Sequence, residues 1–349
     1  KENTKIISRE KVEKKKKPLK EVKPEGNLPK VTILHTGGTI ASKVDYETGA
    51  VSSKFEPKEL LSLFPEINDI AQVDAKMIRN MASDDMRFEH FNIMLDEIRD
   101  AIDGNTQGVI ISHGTDTLHY TSAALSYALE NLSVPVLLVG AQRSSDRPSS
   151  DAYSNLNAAV NFIVQNSKLE NKFQRVGICM HESIDDKTYL ILDGLNAKKM
   201  HSSRRDAFLQ INYSPVARID ENFDIEVFRE ELFEGSKNDL LQIQKYDSKL
   251  KISFLKIHPS LFPEEISNYK SNDALIIEGT GLGHMPISEI DEFTRTHPQN
   301  LEEVKKLIKE GVKVVIGVQT TYGETNLNVY SPGRILSETG IYENCAYSL

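Results

Sequence analysis

The sequence predicts an α/β fold built as two parallel-sheet domains, and three observations carry that prediction. Short apolar runs rich in β-branched residues recur along the chain, helix-spaced segments alternate with them, and the pattern lapses once, over residues 216–250. Strands that read as unbroken apolar runs are buried on both faces, as they are when helices pack on each side of a parallel sheet. The first set of runs is Val31–His35, Gly108–Ser112, Val134–Gly140 and Val176–Met180, with helical spacing over Phe88–Ile102 and Thr117–Asn131. In the second of these helical stretches Leu118, Leu125, Leu129 and Leu132 share one face. The second set is Ile252–Ile257, Ala274–Glu278 and Val312–Val318, the last preceded by a helical stretch over Leu301–Glu310. A larger domain is therefore expected over 31–215, a connecting segment over 216–250 and a smaller, truncated domain over 251–349. No internal repeat at a fixed period is present.

Residues 1–30 stand apart. They hold eleven Lys or Arg against five Glu, so the −9 of the whole chain leaves the remainder at −15. Without apolar periodicity, and with Pro18, Pro24 and Pro29 spaced through it, this stretch reads as an exposed basic linker. A basic arm touching RNA phosphates is the sharper reading of the same lysines. The acidic remainder argues against broad wrapping of nucleic acid by the globular part.

The chain has 349 residues, 39% of them hydrophobic and 27% charged, which suits roughly two domains and excludes a disordered or collagen-like chain. Its longest apolar run, Val134–Ala141, is far short of the roughly 18 residues of a membrane span. Two cysteines make no disulfide framework, and the N-terminus lacks a signal-peptide core, so a cytoplasmic location is expected. The start at Lys1 and the stop after Leu349 are what a fragment of a longer protein would give.

Open parallel sheets bind ligands beyond the carboxyl ends of their strands, which directs attention to the loops that follow the predicted strands. The first is Thr36-Gly37-Gly38-Thr39-Ile40-Ala41, where two glycines let the backbone approach a ligand and leave a threonine at the lip of the sheet. A plain glycine turn would have the same sequence, and neither phosphate-loop spacing is met. The second is Ser112-His113-Gly114-Thr115-Asp116-Thr117, ahead of a helix. Thr115 or Asp116 would serve there as helix caps, or as a hydroxyl and carboxylate beside amides that stabilise developing negative charge. Met81–Met86 and Lys198–Phe208 complete the set; a buried lysine in the latter, beside Thr115 and Asp116, would make a Thr–Lys–Asp relay for activating a hydroxyl. The histidines show no zinc-ligand spacing, Cys179 reads as core, and Arg143, Arg147, Arg204 and Arg205 suit either RNA contacts or turn anchors.

Taken together, T-G-G-T-I-A, S-x-D-M, H-G-T-D-T and K-x-x-[ST] followed by D-A-F resemble the L-asparaginase/glutaminase superfamily of the bacterial type, collinearly over residues 31–345. Val44–Val51, His119–Ser126, Gly140–Ala152 and Glu278–His284 are similar to a narrower branch, the glutaminase subunits of archaeal Glu-tRNA(Gln) amidotransferases. The resemblance implies an asparaginase/glutaminase-like fold and a nucleophilic or primary catalytic role for Thr39. Thr115, Asp116 and Lys199 match the family's second threonine, aspartate and lysine. It implies a tyrosine on a flap over the site at Tyr46, a serine holding the substrate α-carboxylate at Ser83, and at Asp84 an acid facing the α-ammonium. Which threonine attacks stays open. No metal or organic cofactor is implied for this chain, whereas ATP and Mg are expected at a partner subunit. L-glutamine, a tRNA-recognising partner subunit, Glu-tRNA(Gln) reached through the complex, and a homodimer within a heterotetramer are the implied partners. A free cytoplasmic L-asparaginase or glutaminase, and a catalytically silent scaffold, are the alternatives. The branch normally carries a small preceding domain and terminal helices beyond the position of Leu349.

Overall fold

A computed structural model describes residues 28–38, 42–44, 51–53, 65–145, 149–235 and 239–344. Residues 1–27 of the basic segment, Thr39 and Tyr46 lie outside the described residues. The first body comprises strands β1 (Lys30–Gly37), β2 (Gln72–Met81), β3 (Thr106–Ser112), β4 (Val136–Val139), β5 (Val176–His181) and β6 (Tyr189–Asp193), a hairpin of β7 (Ala197–Lys199) and β8 (Phe208–Gln210), and then β9 (Ala217–Ile219) and β10 (Ile225–Val227). Helices α1 (Phe88–Ala101), α2 (Leu118–Ala128) and α3 (Ala152–Asn166) cover its sheet. Eight of these strands form that sheet, in the order β10-β9-β6-β5-β4-β3-β1-β2.

The alternation of side chains along each central strand feeds two cores. Ile33, Ile110, Leu137, Val139 and Cys179 join Leu156, Phe162 and Ile163 of α3 on one face. Leu34, Val109, Ile111, Leu138 and Ile178 join Met94, Leu95 and Ile98 of α1 and Leu118 and Leu125 of α2 on the other. A strand with a period of two and a helix layer on each side has no face left for polar residues, which is why these runs are almost wholly apolar. Burial also pushes the Cys179 thiol upward, so it stays protonated and serves as a small apolar side chain.

The α/β fold is as expected, and its larger sheet is mixed: parallel from β2 through β1, β3 and β4 to β5, then antiparallel from β5 through β6 and β9 to β10. Residues 182–188 between β5 and β6 are too few for the crossover of a dozen or more residues that a parallel neighbour needs, so the chain turns back as a hairpin. The segment 216–250, expected as a connection, also carries strands. It supplies β9 and β10, and Gln242–Ile243 pairs with Leu129–Glu130. That pairing also ends the second predicted helix at Ala128, three residues early, while Leu129 and Leu132 still reach the core.

The second body is a parallel sheet, β11 (Ile252–Lys256), β12 (Ala274–Gly279), β13 (Lys313–Val318) and β14 (Tyr342–Glu343), in that order. Helices α4 (Pro263–Ser267), α5 (His297–Lys309) and α6 (Ser331–Ser337) accompany it. Leu255, Leu275, Ile277, Val314 and Ile316 pack with Ile266, Val304 and Leu307. Asn212 of the first body and Gly323 of the second exchange two hydrogen bonds: Asn212 Nδ2 donates to the Gly323 carbonyl at 3.0 Å and the Gly323 N–H donates to Asn212 Oδ1 at 2.9 Å. Among the described residues no helix is long and apolar enough to cross a membrane.

Candidate active site

The sheet order fixes where a site can form. From β1 the chain passes outward to β2, then back across to β3 on the other side of β1, so the strand order reverses between β1 and β3. A crevice outside the carboxyl ends follows from that reversal. The loops after β1, β2, β3 and β4 all open there, and each carries one of the motifs singled out from sequence.

The first two of these to meet are the β1 and β3 loops. A Cβ on Gly38 would lie 2.6 Å from both Cα and N of Gly114, and Gly38 has φ of +78°. Only glycine allows that approach and that backbone conformation together. Gly114 in turn seats against Ser83, whose Oγ would lie 2.8 Å from an added Cβ. Ser83 is buried in the single turn Ser83–Asp85 after β2; its carbonyl accepts the Thr117 hydroxyl at 2.7 Å and its Oγ accepts the Thr117 N–H at 3.4 Å. Asp84 lies on the same turn and is exposed.

Thr115 is buried on the β3 loop, and its side chain meets Lys199 at the end of β7. The Lys199 ammonium donates to Thr115 Oγ1 at 2.8 Å and to Asp116 Oδ1 at 2.7 Å. The lysine side chain is 9% exposed and the aspartate 68% exposed. A nearly buried ammonium is thus tied to a carboxylate that reaches solvent, which keeps the positive charge compensated where the hydroxyl sits. Thr117, not Thr115 or Asp116, is the residue preceding α2, so their side chains are free for this line. Lys199 is aimed by its hairpin: it pairs with Phe208, Met200 N–H donates to the Ala207 carbonyl at 2.6 Å, and Arg204 pairs with Asp206. Of the sequence-predicted residues, Ser83, Thr115, Asp116 and Lys199 come together; Asp84 shares the Ser83 turn, and Thr39 and Tyr46 lie outside the described residues.

In the loop after β4, sequence reasoning assigned no role to Gln142. Gln142 Oε1 accepts the Thr115 hydroxyl at 3.5 Å. Asp151, fully buried, accepts the N–H groups of Gln142 and Arg143 at 3.0–3.1 Å. The signal available was positional: this loop also joins a parallel strand to a helix at the same end of the sheet. Arg205 anchors turns, donating to Asp186 and to the Ser149 carbonyl at 2.8 Å each.

The histidines here are structural. His35 contacts Ser112, and His113 bridges the Gly114 carbonyl at 2.7 Å and the Thr121 hydroxyl at 2.9 Å. Burial holds both imidazoles down at about 4. Each stays neutral in the folded chain while the unfolded chain titrates near 6.5, so between those values the unfolded state binds the extra protons and stability falls as pH falls. The expected loss by pH 4 is roughly 3 kcal/mol for each histidine. Denaturant midpoints read from pH 7 to pH 4.5 check this: a His113→Asn variant should lose less over that range than the wild type, and parallel curves would contradict the assignment. Among the described residues no group of His, Cys, Asp and Glu is arranged to hold a metal ion.

Fold and site together define an asparaginase-type α/β protein. The sequence model of the family described as Asparaginase, N-terminal matches residues 30–232. The thermostable L-asparaginase from Thermococcus kodakarensis superposes with a TM-score of 0.76 at 27% identity, covering 91% of this chain and 89% of its own. The glutamyl-tRNA(Gln) amidotransferase D subunit of Pyrococcus furiosus is 41% identical over 323 residues, 92% of this chain and 69% of that protein. The protein of the same name from Thermococcus kodakarensis is 41% identical over 329 residues, 93% of this chain and 70% of its own. The chain belongs to the asparaginase family, in the branch of the glutamyl-tRNA(Gln) amidotransferase D subunits.

Proposed function

We propose that the chain is the glutaminase subunit of a tRNA-dependent amidotransferase, hydrolysing L-glutamine and delivering ammonia to a partner subunit that converts Glu-tRNA(Gln) to Gln-tRNA(Gln). One observation carries the chemistry: a nearly buried ammonium, Lys199, held at 2.8 Å from the Thr115 hydroxyl and 2.7 Å from the Asp116 carboxylate. Family membership supports the choice of reaction and of partner.

In this reading a threonine oxygen, of Thr115 or of Thr39, forms a bond to the glutamine side-chain carbonyl carbon. As the hydroxyl proton enters the Thr115–Lys199–Asp116 line, the Lys199 ammonium gives one of its own protons to the Asp116 carboxylate; the line then returns a proton to the departing nitrogen, which leaves as ammonia. Backbone N–H groups at the start of α2 stabilise the tetrahedral oxyanion. Water then cleaves the acyl-enzyme to glutamate and restores the hydroxyl. Ser83 holds the α-carboxylate and Asp84 faces the α-ammonium, and the family resemblance assigns Tyr46 the role of the flap tyrosine. The reaction needs no metal or organic cofactor in this chain; ATP and Mg belong to the partner, where the glutamate is activated. We place the assembly in the cytoplasm, as a homodimer within a heterotetramer.

The test is ammonia release from L-glutamine and L-asparagine by the full-length protein, with and without the partner subunit and Glu-tRNA(Gln). Release that rises on adding partner and charged tRNA is expected. Fast release by the protein alone, unchanged by either, would replace this reading with a free amidohydrolase. The amide preference itself rests on one methylene, worth about 1–3 kcal/mol in a pocket.

A further inference from the structure

The Thr115 side chain is gripped from three directions. Its methyl faces Gly140, where an added Cβ would lie 2.7 Å from Thr115 Cγ2. One lone pair of its oxygen accepts the Lys199 ammonium at 2.8 Å. Its proton is directed at Gln142 Oε1, 3.5 Å away. An oxygen that already accepts from an ammonium needs an acceptor for its own proton, and the amide oxygen of Gln142 is the group that supplies one.

Gln142 is itself held from behind. Both oxygens of the buried Asp151 carboxylate accept its N–H, at 3.1 and 3.0 Å, and one of them accepts the Arg143 N–H at 3.0 Å. Asn155 Nδ2 donates to the same carboxylate at 3.4 Å and to the Gly140 carbonyl at 3.0 Å, tying the loop to α3. Meanwhile Gln142 Nε2 is buried with no hydrogen-bond partner among the described residues. An unpaired buried donor is costly, so this rotamer is not explained by the satisfaction of the glutamine's own amide. It is explained by where the other end of that amide points.

We infer that Gln142 is a positioning residue for the amide hydrolysis proposed above, on which this inference rests. In the resting site the Thr115 proton lies toward Gln142 and one lone pair toward Lys199, which together with the methyl seated at Gly140 fixes the rotamer of the side chain; on attack the proton turns into the Lys199–Asp116 line. Asp151 keeps Gln142 in place by fixing its backbone. Without the acceptor Thr115 loses one of the three contacts that fix its side chain, and the reactive geometry becomes one of several.

The experiment uses the full-length protein with its partner subunit and compares Gln142→Met, Gln142→Asn and Gln142→Glu, reading kcat and KM for ammonia release from L-glutamine against pH. Met keeps the length but removes the acceptor; Asn keeps the amide but falls one methylene short. Both are expected to lower kcat about 10- to 100-fold with KM within about twofold, the size of effect that a misplaced reacting group produces. Glu restores an acceptor once ionised, so its kcat should return to within about fivefold of wild type at high pH, with an acid limb that the wild type lacks. A wild-type kcat in Gln142→Met or Gln142→Asn overturns the inference. So does an equal loss in Met, Asn and Glu with unchanged pH profiles, which is what a packing role would give. A wild-type protein that releases no ammonia overturns the amide-hydrolysis reading and this inference with it; an active wild type with indifferent variants overturns the inference alone.

Discussion

Replacing Thr115 with valine is expected to reduce ammonia release from L-glutamine by roughly a thousandfold or more while leaving the fold intact. Valine keeps the shape and the methyl that faces Gly140, so packing around β3 and β4 should hardly change. What it deletes is the oxygen that receives the Lys199 ammonium at 2.8 Å. Lys199→Met should be similarly severe, by roughly a hundred- to ten-thousandfold, because it removes the group through which the proton moves. The lysine's loss leaves Asp116 largely in water, so no buried charge is stranded and the melting temperature should fall little. Because the two side chains act as one unit, the double variant should be barely worse than either single one. Full amide hydrolysis by Thr115→Val, with a normal melting temperature, would show that the chemistry does not run through the Thr115–Lys199–Asp116 line.

Gly38→Ala is expected to damage both stability and activity. The new Cβ would sit 2.6 Å from two backbone atoms of Gly114, and backbone cannot swing aside as the end of a flexible side chain can. The residue must also hold φ of +78°. Left-handed strain and overpacking each cost about 1–3 kcal/mol, so a combined loss of roughly 2–5 kcal/mol is expected, with the β1 and β3 loops forced apart. Gly104→Ala is the control, since nothing lies within 4 Å of its added Cβ, and it should shift the denaturant midpoint by less than about 0.5 kcal/mol. A Gly38→Ala protein with the wild-type midpoint and full activity would show that the two loops do not need this contact.

How far the sequence could be read depended on how each element is buried. β1, β3, β4 and β5 were legible because both of their faces are covered, leaving unbroken apolar runs. Helix α3 was not, although it is the best-buried helix of the first body. Ala158, Ala159, Val160, Phe162, Ile163 and Val164 are all buried, and the half-buried stripe of Ser154, Asn161 and Gln165 carries no charge, so no charged face marks the helix in the sequence. β9 and β10 are three residues each and carry too little pattern to stand out from charged surroundings. At the site, glycine and threonine at strand ends could be marked as interesting from the sequence, but their partners could not. The Thr115–Lys199 contact spans 84 residues, and it was named through family resemblance and not through spacing. Gln142 was given no role because a glutamine in a loop rich in Ser and Arg has nothing local to distinguish it.

That separation of 84 residues has a consequence for the chain while it is being made. At about 5–20 residues per second, Lys199 leaves the ribosome roughly 4–17 s after Thr115. During that interval the strands around Thr115 have emerged and the hairpin that carries the ammonium has not. The nascent protein is therefore born chemically idle, and its ability to liberate ammonia switches on only when the last side chain of the line arrives.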